Sequence, residues 1–183
     1  ALKGMALYYS LMAHAPYARL DILAMDTFTY NLVKNLKNVN ATCLFDLELK
    51  IPELRTAHQN RTWQETCWTS ASVFLRECLK GRDQAVYVDA DMFFMGSPSD
   101  VYWKYAQYPA ALTPHRFAEK DKERLLPNGF YNVGYLAVSK FGQKFMDEWA
   151  EETLRWCYNR NQDGLFGDHG SLHKLGPHNG AAD

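Results

Sequence analysis

Residues 85–98, AVYVDADMFFMGSP, constrain this chain more than any other stretch. An apolar run from Ala85 to Val88 meets two carboxylates one residue apart, Asp89 and Asp91. A second apolar run follows, then Gly96, Ser97 and Pro98. A short, fully apolar run suits a strand covered on both faces, as in a parallel sheet flanked by helices. In such α/β sheets ligands bind outside the carboxyl ends of the strands. Two carboxylates there, with no Lys or Arg within six residues on either side, call for a cation. A hard divalent ion such as Mg²⁺ or Mn²⁺, itself gripping substrate phosphates, fits that donor set. A plainer reading is open as well: one Asp caps the following turn and the other is solvated.

The flanking sequence repeats the α/β theme. Residues 2–14 read as a helix with Leu2, Ala6, Tyr9 and Ala13 on one stripe and Pro16 as its stop. Residues 19–26 read as a strand ending in Asp26, and the helix after it has Thr27 at its cap position. Residues 39–48 read as the next strand. A two-part helical region follows at 51–83. Pro52 sits in its first turn, Thr62 and Glu65 have capping-box spacing, and Gly81 is its terminator. After the Asp89 strand come a short helix from Asp100, a strand at 110–117 and a polar, mixed-charge loop at 118–129. A strand at 130–139, interrupted by Asn132 and Gly134, leads into a long amphipathic helix from Phe141 to Tyr158. Helix and strand alternate without repeat or linker, so the chain reads as a single domain of 183 residues.

Composition excludes several classes. A net charge of −1 gives no basic surface for nucleic acid. No apolar run approaches the ~18 residues of a membrane span. Four scattered cysteines have no metal-ligand spacing and read as buried thiols of a reducing compartment.

Five further residues are candidates for a site. Asn132 is an amide inside an apolar strand; it binds a polar ligand or is a bulge residue satisfied by backbone. Gly134 beside it lets backbone or ligand approach closely. Asp168, flanked by glycines and followed by His169, is a ligand-binding acid or a helix cap. Arg61 stands at a helix start, where the macrodipole disfavours a cation, and so hints at a nearby anion.

Several segments together resemble one family. VYVDADMFFMGSP resembles the D-x-D segment of GT-A fold nucleotide-diphospho-sugar glycosyltransferases of the glycogenin and lipopolysaccharide-galactosyltransferase type. GFYNVGYLAVS resembles their N-x-G strand, and FGDHGSL their D-Q segment, with His169 in place of Gln. NRTWQETCWTSASVFL, TPHRF and WCYNR resemble a bacterial branch of the same superfamily. The likeness covers nearly the whole chain in the right order. It implies a Rossmann-like, mostly parallel sheet with helices on both faces, lacking the family's first strand. It also implies transfer of a hexose from a nucleotide sugar, UDP-sugar favoured, to a glycan or lipid-linked acceptor, with retention. By the same likeness, Asp89 and Asp91 bind Mn²⁺ or Mg²⁺, with His178 a remnant of the segment that completes the metal site. Arg61, Asp89, Asn132, Gly134 and Asp168 line the donor pocket, and Asp168 and His169 face the reacting carbon. The expected location is the cytoplasm, at the inner face of the membrane, reached through segments outside this chain. Two other readings stay open. One is a sugar-nucleotide or glycan-binding relative, or fragment, without turnover. The other is a haloacid-dehalogenase-type phosphohydrolase, although Phe93 stands where that motif carries Thr or Val.

Overall fold

A computed structural model describes residues 2–159, 167, 168 and 175. Helix α1 (Leu2–His14) leads into β1 (Leu20–Ala24), α2 (Thr27–Val33) and β2 (Val39–Cys43). Three helices follow: α3 (Leu44–Lys50), α4 (Pro52–His58) and α5 (Trp63–Leu79). Then come β3 (Gln84–Val88), α6 (Ser99–Tyr105), β4 (Ala110–Pro114), α7 (Leu125–Asn128), β5 (Tyr131–Ser139) and α8 (Gln143–Arg155).

The chain is α/β, with helices around two sheets. Strands β1 and β2 pair in parallel, from Leu20 opposite Val39 to Ala24 opposite Cys43. In the second sheet β5 lies between β3 and β4 and runs antiparallel to both. Strands β3 and β4 are therefore parallel to one another, and β5 departs from the mostly parallel pattern. The reason is the connection between β4 and β5. It holds only short helical turns, Glu119–Arg124 and Leu125–Asn128, instead of a long crossover helix that could return the chain to the sheet's start.

Helices α5 and α8 tie the layers together. Leu75 and Leu79 join Val133, Leu136 and Val138 of β5 and Met146 and Trp149 of α8 in one core. Val73 and Ala150, on the same two helices, join Leu44, Leu47, Ile51 and Leu54 in a second. Between the helices Ser72 and Thr153 share a buried hydrogen bond of 2.5 Å. The two sheets are linked at one end by Arg82, which donates to both carboxylate oxygens of Asp21.

The capping box expected for α5 is present: Thr62 Oγ1 accepts from Glu65 N, and Glu65 Oε2 accepts from Thr62 N at 2.7 Å. Gly81 ends that helical region with a φ of 72°, where a side chain would be strained. Other local expectations need correction. The buried face of α1 is Leu7, Tyr8, Ser10 and Leu11, while Leu2 and Tyr9 are 88% and 62% exposed. Apolar residues surround most of this helix, so spacing alone does not choose the face. The cap of α2 is Asp26, whose Oδ1 accepts from Thr29 N at 2.6 Å, and not Thr27. The strand read at 39–48 stops at Cys43, because Leu44 and Leu47 recur at helical spacing on the buried face of α3. The loop read at 118–129 contains the helical turns named above.

Candidate functional site

Successive side chains of a strand point to opposite faces, so Tyr87 and Asp89 leave β3 on the same side. The Tyr87 hydroxyl donates to Asp89 Oδ1 at 2.7 Å. Burial, and next the Asp89 charge, push the Tyr87 phenol far above its ordinary value of 10, which keeps it a proton donor. The Asp89 amide donates to the Gly134 carbonyl at 3.0 Å, extending the β3–β5 pairing one step past Val88. The chain then turns. Met92 N donates to the Asp89 carbonyl at 3.0 Å, and this tight turn presents Asp91 to solvent. Phe94 N donates to Ser10 Oγ at 3.0 Å, fastening the following segment to α1.

Residues on β5 complete the neighbourhood. Leu112 lies opposite Leu136, but the next residue, Thr113, lies opposite Asn132, so residues 133–135 bulge out of the β4 pairing. Within this bulge Asn132 Oδ1 accepts from Gly134 N at 2.6 Å. The backbone thus satisfies the amide oxygen, and the NH₂ group is the half that can donate to a ligand. Gly134 is held small by its surroundings. A Cβ there would stand 2.8 Å from Asn132 Oδ1 and 3.3 Å from Asp89 Oδ2. Asp89, Asn132 and Gly134 are therefore one cluster. Asn132 and Gly134 lie 43 and 45 residues beyond Asp89 in sequence and within contact distance of it around the Gly134 position.

Asp168 is 3% exposed, and its backbone carbonyl accepts from the Trp149 indole at 3.3 Å. Its charge adds to burial in raising the Tyr87 phenol, and in pushing the Cys157 thiol up to about 12. Asp168 thus acts on the same phenol that holds Asp89. All four cysteines are free, and Cys78 is likewise pushed up to about 12 by burial and by the Asp21 charge, so Cys78 and Cys157 stay protonated at neutral pH. His169 and His178 lie outside the described residues.

The acids do not stand without a cation. Lys3, from the start of α1, brings Nζ within 3.3 Å of Asp91 Oδ2. Their side chains are 78% and 57% exposed, and a pair so open to water is weak and exchangeable. Leu2, Lys3 and Gly4 form one wall of a broad cleft of about 710 Å³, and Asp89, Ala90 and Asp91 form the other.

Arg61 is placed elsewhere. Its guanidinium donates to Thr69 Oγ1 and, at 2.6 Å, to the Leu154 carbonyl, and it lies 5.4 Å from the Tyr158 ring centroid. The anion hinted at by its position is the carbonyl end of α8, whose partial negative charge a cation stabilises. Arg61 lines a second cleft of about 410 Å³ with Glu53, Thr56, Asn60, Leu154 and Tyr158.

No group of three or more His, Cys, Asp or Glu side chains suited to a metal occurs among the described residues. The donor set nevertheless fits a hard divalent ion of the phosphate-binding kind. Such an ion takes one or two carboxylates from protein and fills its other positions with water and phosphate oxygens. Asp89 and Asp91 are two carboxylates on one cleft, with Gly134 leaving room beside Asp89 Oδ2.

No protein-family model matches the sequence. The uncharacterized protein YfnD of Bacillus subtilis (strain 168) is 27% identical over 160 residues, covering 85% of this chain and 51% of its own length. The uncharacterized protein YfnF of the same organism is 27% identical over 183 residues, covering 93% of this chain and 60% of its own length. The chain thus spans about half to three-fifths of the length of these curated relatives. Among solved structures, the apo form of mouse xyloside xylosyltransferase 1 superposes with a TM-score of 0.56 at 11% identity. The match covers 95% of this chain and 75% of that one. The fold is glycosyltransferase-like. Among the described residues no helix is long and apolar enough to cross a membrane.

Sequence reasoning missed two residues that contact Asp89 and Asp91. Tyr87 was legible in principle, since it stands two residues before Asp89 on one strand face. Lys3 was not, because only the packing of α1 brings it to Asp91.

Proposed function

We propose that this chain belongs to the catalytic domain of a metal-dependent hexosyltransferase. The donor is a nucleotide-diphospho-sugar, UDP-sugar favoured, and the acceptor a glycan or lipid-linked glycan, with retention at the anomeric carbon. The observation that carries this reading is the Asp89–Asn132–Gly134 cluster at the end of β3, with Asp91 exposed on the next turn, in a glycosyltransferase-like fold.

Asp89 and Asp91 would hold Mn²⁺ or Mg²⁺ together with the donor diphosphate. The bound ion supplies Lewis-acid stabilisation of the leaving nucleoside diphosphate. Asn132 orients the sugar through its NH₂ group, and Gly134 admits it close to the strand. Asp168 lies deeper, where a fixed negative charge can favour positive charge developing at the anomeric carbon. His169 and His178 belong to the same reading as the neighbour of that acid and as a further metal ligand. Arg61 supports the site from outside by fixing the end of α8.

Release of UDP from UDP-hexoses with Mn²⁺, with and without glycan acceptors, tests the reaction. Slow donor hydrolysis that accelerates with an acceptor is the expected result. A second reading is favoured by Lys3, which already faces Asp91: a relative that binds the sugar nucleotide without turnover. Tight binding of donor with no release of UDP under any condition would establish that reading instead.

A further inference from the structure

We propose that Tyr87 is the positioning residue of the Asp89 carboxylate: its hydroxyl holds Oδ1 toward the protein, so that Oδ2, beside Gly134, addresses the ligand. This rests on the metal-dependent donor site described above and assigns it a residue that the D-x-D pattern does not include. Three observations converge. The phenol donates to Oδ1 at 2.7 Å. The Asp89 amide is fixed by Gly134 at 3.0 Å, so backbone and side chain are both anchored. Oδ2 lies 3.3 Å from the place a Gly134 Cβ would occupy, space that the glycine leaves open. A carboxylate with one oxygen committed to a neutral donor keeps its charge and loses its freedom to rotate. Ligand-orienting hydrogen bonds of this kind are worth about 10- to 100-fold in metal affinity. Tyr87 touches neither substrate nor ion in this arrangement and acts only through Asp89.

The test compares wild type, Tyr87→Phe, Asp89→Asn and the double variant in this chain. Apo crystal structures of wild type and Tyr87→Phe read the orientation directly, with no ligand present. Titration of Mn²⁺ with UDP, followed by calorimetry and by the Mn²⁺ spin-resonance signal, reads the consequence. The expected result has three parts. The Asp89 carboxylate rotates in the Phe variant, affinity for Mn²⁺–UDP falls about tenfold, and Tyr87→Phe has no further effect in the Asp89→Asn background. An Asp89 carboxylate that superposes on wild type, or an equal loss in both backgrounds, overturns the proposal. Failure of wild type to bind Mn²⁺–UDP is a separate outcome. It removes the donor-site reading, and the apo structures still decide whether Tyr87 orients Asp89. Should the Phe variant not fold, the wild-type apo structure decides by whether Tyr87 Oη lies within hydrogen-bond distance of Asp89 Oδ1.

Discussion

The amide of Asp89 donates to the carbonyl of Gly134 at 3.0 Å, so the acid at the end of β3 and the glycine in the bulge of β5 are set against each other by backbone alone. This pairing gives Gly134 a defined role. In Gly134→Ala the new methyl meets Asn132 Oδ1 at 2.8 Å and Asp89 Oδ2 at 3.3 Å, so the Asn132 side chain must give way. The expected cost is about 1–3 kcal/mol in urea unfolding, as for other overpacked sites. Affinity for Mn²⁺–UDP should fall by more than that stability loss explains, measured where both proteins are fully folded.

The Asp21–Arg82 pair joins β1 to the turn before β3, and it should make stability pH-dependent. Burial raises the Asp21 carboxyl, but hydrogen bonds from Arg82 and Asn40, and the charges of Arg82 and Arg19, outweigh it and leave it below the ordinary 3.8. A group depressed on folding contributes stability that is fully present above its unfolded value and is lost as pH falls through its folded value. Asp21→Asn should therefore cost about 1–3 kcal/mol at pH 7, the range of a charged hydrogen bond. Urea midpoints measured from pH 7 down to below pH 3.8 should show the two proteins converging at the acid end.

Glu65 does more than cap its own helix. Besides closing the box with Thr62, it accepts from Asn159 N at 2.6 Å, tying the start of α5 to the chain beyond α8. Thr62→Ala should cost about 1 kcal/mol, the usual value of a cap. Glu65→Ala leaves two backbone donors without their acceptor and should cost at least about 2 kcal/mol. Chemical unfolding of both variants checks the order.

Lys3 faces Asp91 across an exposed gap, and Lys3→Ala should leave the unfolding free energy within about 0.5 kcal/mol of wild type. If Asp91 takes a divalent ion as proposed, that ion would have to displace this ammonium, so the same variant should bind Mn²⁺ alone more tightly at low salt. Calorimetry in low and high salt reads the difference.

What the sequence made legible was periodic or local. The strand before Asp89, the Pro52 helix start and the Thr62–Glu65 box lie where spacing puts them, because each is decided within a few residues. The buried face of α1 was not legible, since apolar side chains surround most of that helix and tertiary packing chose Leu7 and Leu11. Asn132 and Arg61 show the same limit among the candidate residues. The Asn132 oxygen is satisfied by an amide two residues away, but only once the strand bulges. Arg61 spends its guanidinium on Leu154, 93 residues further along the chain. The direction of β5 likewise depends on what β4's connection lacks, which periodicity does not report.

The most direct test of the metal-diphosphate anchor is calorimetric titration of this chain with UDP, with and without Mn²⁺, in wild type and Asp91→Ala. The expected result is saturable binding that requires Mn²⁺ in wild type and is lost in Asp91→Ala, with both proteins folded. UDP binding of equal strength in the Asp91→Ala variant, or no binding by wild type at any Mn²⁺ concentration, would contradict it.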